Sequence, residues 1–193
     1  MYEINRNFRN EGISRKHNPE FTMLEVYQAY GDYETIMELA QGLITTVAED
    51  VFDSLIVKRY DGKEIDLTPP WQRMTYRELV EDRLGRDWFA LTPGERKARA
   101  PQWGVEIQPE TPDYEVTNAI FEKTIEPTLL NPTFVTQLPA ELVVLAKPNK
   151  QDASVVDVFE LIINGQEIAP AYTELNDPVI QRERLLHQAA GHA

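Results

Sequence analysis

The chain has 193 residues, 42% of them hydrophobic and 26% charged, with a formal net charge of −13 and no cysteine. That length supports one domain with a real core. The absence of cysteine excludes a disulfide scaffold and a thiolate metal site, and the acidity argues against a dedicated nucleic-acid module, which needs a basic stripe. No apolar run approaches the roughly 20 residues of a membrane-spanning helix, and polar residues 2–10 do not read as a signal peptide. A cytoplasmic protein is expected.

The first element is a pair of strands joined by a long polar loop. Strand side chains alternate between two faces. Phe21, Met23, Glu25 and Tyr27 therefore share one face and Thr22, Leu24 and Val26 the other. On the first strand Arg9 follows Asn7 and Asn5, opposite Phe8 and Ile4. A carboxylate beside aromatics is costly unless a cation or hydrogen-bond donor meets it. One face of the hairpin thus reads as core and the other as a site. Arg6, Arg9, Arg15, Lys16 and His17 form a basic run in an acidic chain, which suggests a polyanionic ligand such as a nucleoside triphosphate.

Asp32 caps a helix from Tyr33 to about Phe52, with Ile36, Leu39, Ala40, Leu43, Ile44, Val47 and Val51 as its expected core face. Residues 55–60 and 63–67 flank Asp61-Gly62, a two-residue hairpin signal. Pro69-Pro70 breaks the chain. A small helical insert is expected at about 68–112. In it, Thr75 and Glu78 make a capping box, as do Thr92 and Glu95. Trp71, Trp88 and Trp103 read as its packing anchors. Arg96, Lys97 and Arg99 read as a solvated helix face or an RNA contact, the former favoured. Thr111-Pro112 starts a helix with Tyr114, Val116, Ile120, Phe121 and Ile125 inward. Residues 134–138, 142–146 and 155–163 read as strands, and Asp177-Pro178 opens a last helix ending at Gly191. This order favours α+β, an antiparallel sheet flanked by helices.

Asn164-Gly165 is a type I′ turn signal. A two-residue loop there pairs Ile162 with Glu167 and Glu160 with Ala169, so the two glutamates become same-face diagonal neighbours. Like charges at that range are unfavourable unless a cation lies between them, and magnesium takes carboxylates, waters and phosphates. The alternative is a solvated face on which the two ignore each other.

Residues 8–27, FRNEGISRKHNPEFTMLEVY, closely resemble the second signature motif of class II aminoacyl-tRNA synthetases in its lysyl-tRNA synthetase form. Residues 159–168, FELIINGQEI, and 171–178, AYTELNDP, also resemble that family, as do Glu126-Pro127-Thr128 and residues 131–135. The resemblance implies a lysine–tRNA ligase core of antiparallel sheet and flanking helices. It activates lysine with ATP and Mg2+ to lysyl-adenylate and transfers it to tRNA. It further implies Arg9 at the α-phosphate and the lysine carboxylate, Glu11 at the adenine amino group, and Phe21 stacked on adenine. His17 and Asn18 then lie near the terminal phosphates, and Glu160 and Glu167 on magnesium with ATP. Glu25, Tyr27, Tyr172 and Glu174 line the lysine pocket. No side-chain nucleophile is required.

The chain also departs from the family's pattern. The anticodon-binding barrel and the first motif, much of the dimer interface, are expected to be missing, as is the glycine-rich third motif. A weakened homodimer and a weak or inactive ligase are expected of this polypeptide alone. Pro170 stands where the family has Asn and marks a bulge or edge. A bend is expected in any case, because Tyr172 and Glu174 have the opposite parity from Glu167. Two other readings remain: a paralogue that lysylates an elongation factor, and a non-catalytic synthetase-like binding module.

Overall fold

The computed structural model describes residues 1–10, 12–14 and 17–190, which fall in two units, Met1–Gly31 and Asp32–Ala193. In the first, β1 (Tyr2–Phe8) pairs antiparallel with β2 (Glu20–Val26), from Tyr2 opposite Val26 to Phe8 opposite Glu20. The ladder is extended by Arg9 N–H donating to the Pro19 carbonyl at 3.0 Å. This register gathers Asn5, Asn7, Phe21, Met23 and Glu25 on one face. Ile4, Phe8 and Leu24, on the face expected to be core, are exposed. A two-stranded ribbon has no second layer of its own against which to bury a face.

The second unit is built on a four-stranded sheet. Its strands are β5 (Gln72–Thr75), β6 (Thr133–Thr136), β7 (Val158–Ile163) and β8 (Gln166–Tyr172), in that spatial order. Three helices sandwich it. Met37 of α1 (Tyr33–Phe52) meets Phe134, Phe159, Leu161 and Trp71 on one face. On the other, Val135, Val158 and Ile162 meet Tyr76 and Val80 of α2 (Tyr76–Leu84). They also meet Val116, Ile120 and Phe121 of α4 (Asp113–Thr124). A strand covered on both faces reads as an apolar run, and in β7 that run is interrupted only by Glu160. Between α2 and α4 lies α3 (Pro93–Arg99), and a small hairpin of β3 (Ile56–Lys58) and β4 (Glu64–Asp66) follows α1. The chain continues into α5 (Pro178–Ala190). No described helix is long and apolar enough to cross a membrane.

Local chemistry accounts for the starts. Asp32, Thr75 and Thr92 each close a capping box, and Pro93 opens α3 as the first-turn proline. Several expectations need correction. The sheet is not wholly antiparallel: β5 and β6 run parallel, since the helical crossover between them replaces a hairpin. Residues 142–146 form turns rather than a strand: Ala146 makes a single bridge to Glu174, and the segment is held by Leu175 N–H on the Leu145 carbonyl and Arg184 on the Val144 and Ala146 carbonyls. Val155 and Val156 make single bridges before β7 begins. In the β3–β4 hairpin, Arg59 N–H bonds the Lys63 carbonyl at 2.8 Å, so Tyr60, Asp61 and Gly62 form the loop, with Gly62 at φ 82°.

Within α1, Ile36, Met37, Ala40, Ile44 and Ala48 face inward, whereas Leu39, Leu43, Val47 and Val51 are exposed. The apolar arc is wider than the sheet it rests on. Trp71 packs on the α1 side of the sheet, apart from Trp88. It packs on Phe134 at 5.6 Å, and its indole donates to the Leu67 carbonyl at 2.8 Å. Trp88 is a packing anchor as expected, fully buried and donating to the Thr117 hydroxyl of α4.

Candidate functional site

On the hairpin, Arg9 and Phe21 meet. The guanidinium lies 5.3 Å from the ring centroid, a cation–π distance. Phe21 and Glu25 share a face, two pairs apart. His17 Nδ1 is 3.0 Å from the Ser14 hydroxyl, which also accepts from the His17 backbone N–H. Asn18 donates to the Glu20 carbonyl at 2.9 Å, which folds the end of the loop back onto β2. Tyr27 follows β2 and is exposed. Glu11, Arg15 and Lys16 lie outside the described residues.

The second group stands on β7 and β8. Asn164 and Gly165, at φ 58° and 67°, form the expected I′ turn, and Ile162 faces Glu167. Beyond that row the register shifts. Ile168 is an extra residue on β8, so Leu161 faces Ala169 and Glu160 faces Pro170, not Ala169. The bulge is the bend that the parity of Tyr172 required. Pro170 tolerates its place because β8 is an edge strand. Tyr172 thereby joins Glu160 and Glu167 on one side of the ribbon, the side that packs towards α2 and α4. Glu174 lies past the strand, exposed, bridged to Ala146.

The turn is clamped from below. Asn164 and Gly165 N–H donate to the Leu130 and Leu129 carbonyls at 2.9 Å each, and Arg59 donates to the Asn164 side chain. A Cβ on Gly165 would lie 2.9 Å from Pro127 Cα, so only glycine permits this approach. The clamp holds Glu126, the residue before Pro127, near the base of the ribbon.

Burial pushes the Glu160 carboxyl up to about 8, with Glu167, Glu126 and Glu122 adding like-charge repulsion. Glu122 and Glu126 were not among the residues expected in the site. Glu122 lies on the last turn of α4 and Glu126 in the short turn that follows it. Among the described residues no three His, Cys, Asp or Glu are grouped to hold a metal by themselves. Magnesium needs no such cage: one or two carboxylates, waters and substrate phosphates suffice. A desolvated glutamate beside like charges fits such an ion, whose charge offsets the repulsion.

The basic cluster of α3 is spent on structure. Arg96 clasps Asp113 with both arms, at 2.9 and 2.6 Å, and caps the Trp88 and Leu91 carbonyls. Lys97 bonds the Pro109 carbonyl, and Arg99 lies 3.6 Å from Asp87.

Residues 1–192 match the family model of class II tRNA synthetases (D, K and N). The chain belongs to that family. It is 47% identical to the lysine–tRNA ligase of Carboxydothermus hydrogenoformans over all of its own length and 40% of the relative's. Against the lysine–tRNA ligase of Pelotomaculum thermopropionicum the identity is 47%, over 97% of this chain and 38% of the relative. For that of Trichormus variabilis it is 45%, over 100% and 35%. The chain thus spans about two fifths of the length of the curated relatives it matches.

Proposed function

We propose that this chain carries part of the catalytic core of a lysine–tRNA ligase. The observation that carries the reading is the full-chain likeness to lysine–tRNA ligases, supported by a desolvated Glu160 on one face with Glu167. The substrates are lysine, ATP and tRNA, the setting is the cytoplasm, and a homodimer is the assembly to test.

In the first half-reaction a lysine carboxylate oxygen bonds to the α-phosphorus, the α–β anhydride bond breaks, and pyrophosphate leaves. In the second, a tRNA hydroxyl takes the lysyl group and AMP departs. Arg9 neutralises charge at the α-phosphate through its planar fork, and Phe21 and Glu11 hold the adenine. His17 and Asn18 attend the terminal phosphates. Glu25, Tyr27, Tyr172 and Glu174 receive lysine, with the Glu174 carboxylate opposite the ε-ammonium. Glu160 and Glu167 would hold Mg2+, which supplies charge neutralisation on the phosphates when bound. Catalysis is positioning and electrostatics throughout.

Lysine-dependent ATP–pyrophosphate exchange tests this. Exchange that requires lysine and falls in Arg9→Ala supports it. Transfer of lysine to an elongation factor in preference to tRNA would replace it with the paralogue reading.

A further inference from the structure

Tyr76 opens α2 directly after Thr75, the last residue of β5. Its side chain is 2% exposed, and its hydroxyl is the buried side-chain polar atom, among the described residues, that lacks a hydrogen-bond partner. The ring packs on Phe121 at 4.8 Å within the cluster that contains Val135, Val158 and Ile162. Those three residues surround Glu160 in the sheet: Val135 is its cross-strand partner, and Val158 and Ile162 are its same-face neighbours along β7. Tyr76 and Glu160 therefore belong to the same side of the same sheet.

Packing explains the ring but not the hydroxyl. A phenylalanine would fill the space without burying an unmade hydrogen bond. Burial first, and then the Glu160 and Glu122 carboxylates, hold the proton on the phenol. The hydroxyl is thus a retained donor in a carboxylate environment.

We propose that Tyr76 is a positioning residue for Glu160: with a divalent cation and ATP bound, its hydroxyl donates a hydrogen bond to the Glu160 carboxylate and fixes the orientation in which that carboxylate meets the cation. The inference rests on the reading of Glu160 as a cation ligand. It concerns a donor from α2, on an element that carries none of the proposed site residues.

Tyr76→Phe removes the oxygen alone and separates this role from a structural one. Two quantities are measured on the full chain: the thermal midpoint without cation, and calorimetric affinity for ATP with Mg2+. The midpoint is expected to hold or rise, because an unpaired buried hydroxyl is gone. Affinity for Mg2+ with ATP is expected to fall by about tenfold, the size of one hydrogen bond to a charged group. ATP affinity without Mg2+ is expected to stay the same. Unchanged Mg2+-dependent affinity in Tyr76→Phe, with Glu160→Gln impaired, would overturn the inference and leave the cation site standing. Equal Mg2+-dependent affinity in wild type and Glu160→Gln would remove the cation site and the inference with it.

Discussion

Glu160 and Glu167 share one side of the β7–β8 ribbon although the bulged Ile168 shifts the register between their rows. The acid nearer the core is raised from its ordinary 4.5 to about 8, first by burial and then by Glu167, Glu126 and Glu122. The fold therefore holds a proton that the unfolded chain has released between these pH values. The resulting stability is fully present below about 4.5 and is lost as pH rises through about 8. The slope across that window approaches about 1.4 kcal/mol per pH unit as an upper limit. Urea unfolding at pH 5 and pH 8.5 is expected to show a larger loss in wild type than in Glu160→Gln.

Gly165 is expected to be irreplaceable in the turn that carries this pair. It holds φ 67°, and an added Cβ would meet Pro127 Cα at 2.9 Å and the Pro127 carbonyl oxygen at 3.1 Å. Neither atom belongs to a flexible side chain. Gly165→Ala should cost about 2 kcal/mol or more, read as a lowered urea midpoint. A variant as stable as wild type would show that the clamp on Leu129 and Leu130 is loose.

Arg96 is a structural residue in this account. Its side chain is 11% exposed and bonded to Asp113 and two carbonyls. Arg96→Met should destabilise by about 2–4 kcal/mol, since it leaves Asp113 and the carbonyls unpaired. The affinity of the folded variant for tRNA, measured below its unfolding transition, should match wild type. Weakened tRNA binding with unchanged stability would reinstate the RNA-contact reading of the cluster.

Much of this was legible in local chemistry. The capping boxes at Thr75 and Thr92 and the Asn164-Gly165 turn announce themselves because a few adjacent residues decide them. The bulge was legible too, through the parity of Tyr172, although not its position at Ile168, which depends on how β8 meets β7. What eluded sequence reasoning is long-range. The parallel pairing of β5 with β6 joins residues about sixty apart. The exposed Leu39–Leu43–Val47–Val51 row and the inward Ile36–Ala40–Ile44 row look alike as periodicity, and only the sheet distinguishes them. Glu122 and Glu126 act on Glu160 across the fold, from α4 and the turn after it, which no short motif records.

The central claim is that Glu160 and Glu167 hold a divalent cation with ATP. Calorimetric titration of ATP with and without Mg2+ tests it most directly. Wild type is expected to bind ATP at least about tenfold more tightly with Mg2+, a difference of 1.4 kcal/mol, and Glu160→Gln and Glu167→Gln are each expected to lose that gain. Equal enhancement by Mg2+ in wild type and both variants would contradict the claim.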